Sequence, residues 1–455
     1  MRIGLNEHFT LKKLLRFVLP TVVTIIFTQI YSIVDGIFVA NFAGKNQFAA
    51  INLIMPLLII MGSLGFMLGT GGSALVAKTL GEGDPERANG LFSMMVIVMA
   101  IVGVILSSVG EIFIVPVARL LGASGETLGY CVLYGRFMLA TQTFFILQNI
   151  FQSFFVVAEK ARLGLIVTAI AGVMNIVLDA LFVAVFKFGL AGAAAATCVS
   201  QIFGAAFPIV YFLRKNDSRL RLGKPLMSMR ALLKACGNGS SEFLSNIAAS
   251  IITLLYNFRL LSLAGETGVA AYGAIMYVAM LLGAILFGYS MGVSPVISFN
   301  YGAKNEDELR NVYRKSMWII LILGVAMTVL AEACASPLSM LFSGGDDELY
   351  SMTLRGFRLY SISFLMTGFG MFGSAFFTAL NNGLISAIIS FSRTLVFQSI
   401  AVIVLPLFLA LDGVWCAIVF AEIPATILSL AFIFAYRKRY GYGKPSARPA
   451  AAPET

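Results

Sequence analysis

The sequence predicts an all-α membrane protein, with twelve transmembrane helices in two six-helix lobes related as parallel internal repeats. Three observations carry this. First, 59% of the 455 residues are hydrophobic and only 12% are charged, about half the usual soluble share of roughly 25%. With a mean hydropathy of +0.90, the surface must be nearly as apolar as the core, which suits lipid and not water. Second, the apolar residues fall into twelve runs, each near or above the roughly 20 residues that a span requires. Third, the second half of the chain repeats the first at a constant offset.

In chain order the expected spans are 12–40, 48–77, 88–110, 126–155, 162–186 and 190–213, then 229–262, 266–299, 307–334, 346–376, 382–407 and 411–437. Several exceed the minimum length, which predicts tilt or extension beyond the bilayer. The first residues run polar into span 1 with no small-residue cleavage site where a signal peptide would carry one. After span 2, LGEGDPERA (80–88) offers Asp84 as N-cap and Pro85 at the first helical position. Its counterpart YGAKNEDELR (301–310) offers Asn305 with Glu308 as a capping box. Both loops read as helix caps, with gating as the lesser alternative.

A shift of 221 residues aligns the halves without a gap: Gly71 falls on Gly292, Gly81 on Gly302, Gly135 on Gly356, Phe151 on Phe372 and Gly192 on Gly413. FAG ending at Gly44 falls on LAG ending at Gly265. Six spans per half give both halves the same orientation, so they are parallel repeats about an axis along the membrane normal. The expected units are an N-terminal lobe (1–213), a linker (214–228), a C-terminal lobe (229–437) and a disordered tail (438–455) rich in Pro and Ala.

Twenty-four of the 32 basic residues fall on one side of this topology, in the N-terminal segment, the linker, the tail and three loops. The opposite loops hold Lys45, Arg119 and Lys187. The asymmetry places both termini in the cytoplasm of a multi-pass cell (inner) membrane protein. It also accounts for the net charge of +10 without a nucleic-acid partner. The single histidine, His8, and five scattered cysteines form no metal-ligand spacing. No phosphate-binding Gly-x-x-x-x-Gly-Lys loop is present, and no nucleophile–base pair marks an enzyme. No cofactor is expected.

Ionisable residues inside a span cost roughly 2.5–3.5 kcal/mol on insertion scales and are functional candidates by default. Asp35 on span 1, Asp179 on span 5 and Thr197 on span 6 fall at similar depth, and Asn175 lies one turn from Asp179 on the same face. Two carboxylates in one poorly solvated pocket repel each other, which favours proton uptake near neutral pH. With the Asn and Thr oxygens, the same set suits Na⁺ held loosely; no tightly bound metal is expected. The ion stays open, and structural bridging is the competing reading. Pro20 removes a backbone hydrogen bond from span 1 and permits a hinge, with a static kink as its alternative. Thr21, Thr24, Thr28 and Gln29 form a polar stretch beyond it.

The acidic pocket is not duplicated, because Asp35 falls on Tyr256 and Asp179 on Ile400. The C-terminal lobe instead carries Glu242, Arg393 and Glu422 near mid-depth, read as a buried Arg393–Glu422 pair with Glu242 a third member or a substrate contact. Gln148, Asn149 and Gln152 on span 4 add polar groups to a candidate substrate chamber with Gln29, Glu242, Arg393 and Glu422.

The span 1 run LPTVVTIIFTQIYSIVDGIFVANFAG (19–44), span 5 with NIVLDALFV (175–183), the repeated loop after span 2 and the two six-helix halves resemble the multidrug and toxic compound extrusion (MATE) transporters over nearly the full length. The match is to the prokaryotic branch with N-lobe carboxylates. The resemblance implies that Asp35, Asn175, Asp179 and Thr197 form the cation-linked site and that Pro20 allows bending. It further implies a V-shaped chamber, alternating access, and export of amphipathic or cationic small molecules in exchange for H⁺ or Na⁺. The C-lobe branch fits less well, since Glu242 is present but span 10 has no carboxylate. Membrane lipids and small molecules are the expected partners of a monomer. A lipid or lipid-linked glycan flippase is the alternative, favoured if Arg393 faces the chamber unpaired.

Overall fold

The computed structural model describes residues 3–42 and 45–443. These fold into α1 (Leu11–Phe42), α2 (Lys45–Gly81), α3 (Pro85–Leu120), α4 (Gly125–Val157), α5 (Ala161–Asp179) and α6 (Gly189–Leu213) in the first half. The second half contains α7 (Met229–Gly302), α8 (Glu306–Ser343), α9 (Asp347–Ser361), α10 (Phe364–Ala379), α11 (Gly383–Phe391), α12 (Gln398–Val404) and α13 (Pro406–Tyr436). A π-helical turn, Ala180–Val185, extends α5, and another, Ser392–Phe397, joins α11 to α12.

These helices make twelve crossings. Each helix of the first half crosses once. The 74-residue α7 would be roughly 110 Å long if straight. Gly265 breaks it at φ 62°, ψ −153°, a conformation that glycine alone adopts at little cost, and its two arms are separate spans. α9 and α10 form one span bent by 50°. α8, α11 with α12, and α13 complete the count.

The twelve expected spans therefore match the observed helices. Asp84 caps α3 by accepting the Arg87 amide at 3.0 Å, with Pro85 in the first turn. Asn305 caps α8 through the Glu308 amide at 3.1 Å. The expected capping box is only half made. The Glu308 carboxylate turns instead to the N-terminal segment, accepting the Phe9 amide at 2.9 Å and lying 2.6 Å from His8 Nδ1. That segment also contacts the first lobe, where the Leu5 amide donates to Glu159 Oε1 at 2.8 Å. Residues 3–9 thus strap the two lobes together at the end of the molecule that carries the basic residues. Within the strap, the Lys13 side chain bound to Glu7 holds that carboxyl below its ordinary range.

The linker is not a free connector. Leu226 N donates to Gly90 O at 2.9 Å and Arg221 N to Asn89 Oδ1 at 2.8 Å, which seats it along α3. The expectation of disorder from residue 438 fails for the first residues of the tail. Tyr442 is buried, its hydroxyl donates to Ile433 O at 2.7 Å, and Tyr440 accepts from Asn382 at 2.9 Å. Aromatic burial outweighs the polar composition there. Residues 444–455, like Gly44 of the repeat alignment, lie outside the described residues.

The lobes join at the basic end. A Cβ on Gly81 would overlap the carbonyl oxygen of Phe299, and one on Gly302 that of Lys78. The 221-residue repeat carries Gly81 onto Gly302 and Lys78 onto Phe299, so it exchanges the two contacts and the seam obeys the pseudo-twofold axis. Gly71 meets Ala235 and Gly239 meets Met67 in the same way. In this half the core is continuous, with Phe92 and Phe212 of one lobe and Phe376 and Phe377 of the other in one cluster. Toward the opposite end, the first lobe has cores of its own. Ile54, Ile114, Tyr134 and Leu190 form one with no residue of the second lobe, and Ala50, Ala118 and Cys131 form another. The molecule is joined at the basic end and divided beyond it, the V expected from the resemblance.

Candidate cation site and inter-lobe cavity

α1 carries Pro20 and then three hydroxyls at successive turns. Thr24 donates to Pro20 O at 2.8 Å, Thr28 to Thr24 O at 2.9 Å and Ser32 to Thr28 O at 2.9 Å. Each such bond competes with the backbone ladder and softens the helix toward bending. Asp35 follows immediately, so the acid sits at the end of this softened stretch of α1. The Thr ladder was visible in the sequence only as a polar stretch.

Asp179 is fully buried on the last turn of α5, where the π-helical turn begins. π-bulges insert an extra residue into the ladder and often mark functional positions. Asp35 and Asp179 lie within reach of each other's charge. Neither oxygen of Asp179 has a hydrogen-bond partner among the described residues, nor does Asp35 Oδ1. Asn175 Nδ2 donates to Thr197 Oγ1 at 3.3 Å, leaving Asn175 Oδ1 unpaired. The structure therefore brings together all four residues that the sequence singled out. It adds two that the reading missed. Tyr134 on α4 is buried within electrostatic reach of both carboxyls, and Tyr31 lies close to Asp35. Tyr31 had a signal in the sequence, since it precedes Asp35 by one turn. Tyr134 had none, because its proximity depends on how α4 packs.

Such a site is rich in unpaired oxygens, and among the described residues no lysine or arginine pairs with either carboxyl. Buried like charges require a counter-ion or a proton. The donor set, two carboxylates, an amide oxygen and a hydroxyl, consists of hard oxygens, which suit H⁺ or Na⁺ and not a soft metal.

The second lobe holds a different arrangement. Arg393 Nε lies 2.9 Å from Glu422 Oε1 and 3.1 Å from Oε2. Glu422 is fully buried. Arg393 lies in the second π-helical turn, on the span equivalent to α5, so each lobe places an ionisable residue at such a turn on its fifth span. The expected Arg393–Glu422 pair is present. A cavity of ≈ 100 Å³ lies beside it, between the lobes, with Glu242, Ser290 and Arg393 on one wall and Thr70, Ser73 and Ser153 on the other.

Five of the expected chamber residues are not among its walls. Glu422 is sealed behind Arg393. Gln148 packs over Gly204 of α6 and Asn149 against Gly65 of α2, because α4 sits inside its own lobe and turns that face to its neighbours. Gln29 is half-buried on α1, away from this cavity. Gln152 lines a separate small pocket with Thr21 and Thr24. The hydroxyls that do line the cavity were missed because serine is unremarkable within an apolar helix.

Breaking a buried pair strands the remaining charge, at a cost of about 3–5 kcal/mol. Glu422→Gln is therefore expected to lower the thermal midpoint of the purified protein markedly, and the pair with Arg393→Gln should recover most of the loss.

Residues 20–181 match the MatE family, and residues 243–404 match it again. The repeat found at the glycine seam is thus also a repeat of the family unit. The chain is 25% identical over 435 residues to the multidrug export protein MepA of Staphylococcus saprophyticus, covering 94% of each. Its fold superposes on an outward-facing multidrug resistance MATE family transporter with a TM-score of 0.90, at 25% identity, over 96% of this chain and 98% of the other. A MATE structure solved in a bent conformation gives 0.86 at 26% identity, over 94% and 97%. These are transport proteins and not enzymes, and together with the doubled match they show that the chain is a multi-pass membrane protein belonging to the MatE family.

Proposed function

We propose that this protein is a secondary active exporter of amphipathic or cationic small molecules, exchanging them for H⁺ or Na⁺ bound at Asp35, Asn175, Asp179 and Thr197. The basic end is cytoplasmic by the positive-inside rule, so the V opens outward. The observation that carries the reading is the pair of carboxyls, each with at least one buried and unpaired oxygen, at the end of a softened α1. An external cation taken up there relieves the repulsion and changes the balance of forces on α1. Release to the cytoplasm after the lobes rock restores the starting charge. Coupling requires only that the ion favour the substrate-free state. The pairing of Arg393 with Glu422 argues against the flippase alternative, because the guanidinium is already partly neutralised. Multidrug export by the MepA relatives supports the substrate class.

The test is reconstitution in proteoliposomes with a fluorescent lipophilic cation, under H⁺ and Na⁺ gradients imposed separately. Transport should follow one of them. Transport that persists at the same rate with both gradients collapsed would overturn the reading.

A further inference from the structure

We propose that the crevice between the basic ends of α1 and α5 binds the headgroup of one anionic phospholipid. The crevice is a cavity of ≈ 390 Å³. Arg16, Phe17 and Pro20 of α1 form one side, and Arg162, Leu163 and Ile166 of α5 the other. Its two acidic neighbours are already engaged. Glu159 accepts from Leu5 N at 2.8 Å and pairs with Arg219 at 2.7 Å, and Asp217 pairs with Lys160 at 2.6 Å. Arg16 and Arg162 have no hydrogen-bond or ion-pair partner among the described residues. The crevice therefore presents two uncompensated guanidiniums on facing walls, the group best shaped to hold phosphate oxygens.

Two further features agree. The first turn of α5 has no acidic residue and its N-cap, Lys160, makes no side-chain cap bond, so the helix end adds to the attraction for an anion. Beyond the crevice, Ile166, Ile170, Val173 and Val177 form an exposed apolar stripe along α5, with the spacing of a single helix face. A phosphate at the arginines places its acyl chain on this stripe. Arg162 lies in the first turn of α5 and Arg16 in the second turn of α1, at the depth where the headgroups of the cytoplasmic leaflet lie if the basic end is cytoplasmic. A free phosphate would use the arginines but not the stripe, so a lipid is the occupant that the whole surface fits. Pro20 forms part of the wall, so a lipid bridging α1 and α5 braces α1 on the basic side of its hinge. This inference does not depend on the transport reading, since its test is a binding measurement.

The experiment is native mass spectrometry of the purified full chain with phosphatidylglycerol or phosphatidylcholine added in detergent. The wild type should retain one phosphatidylglycerol at concentrations where phosphatidylcholine is lost. Arg16→Gln with Arg162→Gln should weaken retention about 30-fold, or about fivefold per arginine. Arg16→Lys with Arg162→Lys should keep part of it, and Lys12→Gln, on the same exposed end but outside the crevice, should leave it unchanged. Equal retention by the double glutamine variant overturns the proposal, as does equal retention of phosphatidylcholine. Displacement of the lipid by inorganic phosphate as readily as by phosphatidylglycerol also overturns it, in favour of a free-anion site. Because neither arginine makes a hydrogen bond or ion pair among the described residues, the thermal midpoint without lipid should stay near the wild-type value in every variant.

Discussion

Asp179→Asn is expected to reduce gradient-driven export in proteoliposomes to the protein-free background while leaving the thermal midpoint unchanged or raised. The two outcomes share one cause. Asp179 is fully buried, with both oxygens unpaired. A second carboxylate beside Asp35 is repelled when both are charged, and a neutral amide removes that repulsion, so the variant should lose no stability through charge. On the proposed exchange, the less favourable group is retained because only a titratable or cation-binding side chain could link ion and substrate. Asp35→Asn should show the same loss of transport. Asn175→Ala should show a partial one, since it removes the amide that donates to Thr197 at 3.3 Å. A structural bridge predicts the reverse pattern: a lowered midpoint and retained transport. Two ordinary measurements on one variant therefore separate the readings.

The second large effect is a contrast between neighbours on α7. Gly239→Ala should destabilise the protein and Gly237→Ala should not. A Cβ on Gly239 would overlap the Met67 carbonyl oxygen of α2, whereas one on Gly237 meets nothing within 4 Å. Backbone against backbone cannot yield by a rotamer change, so the lobes must separate at the seam, at about 1–3 kcal/mol. At Gly237 the alanine adds helix propensity worth up to about 1 kcal/mol. Thermal midpoints of the two variants in detergent should shift in opposite directions. Shifts of the same sign and size would show that the lobes do not depend on this close approach.

Much of the fold was legible because lipid imposes a coarse rule. Every span must be helical and apolar, and a run such as 190–213 has few alternatives. The duplication was legible because glycines at the seam, Gly81 and Gly302, can be only glycine. The acidic site was legible because a carboxylate in hydrocarbon stands out against its surroundings. What failed depended on rotation about helix axes. Gln148 and Asn149 differ from Ser153 only in the way they face, and nothing in the apolar sequence of α4 distinguishes its lobe-interior side from its cavity side. The π-helical turns beside Asp179 and Arg393 follow from packing, not from local sequence. The partner of Glu308 was missed for another reason. Its capping role at Asn305 was locally sufficient, and its actual partners lie at the far end of the chain.

That last contact has a consequence for how the protein is made. His8 and Glu308 are 300 residues apart, so the strap's link to the second lobe cannot form until eight spans have been inserted and the ninth has begun to fold. The strap can close only over lobes that have already met, so its closure reports that the basic ends of the two lobes have docked. A bulky fusion placed against the strap is therefore expected to hinder docking of the lobes and not their insertion. Such proteins should accumulate as inserted but unlatched intermediates, open to proteases at the basic end.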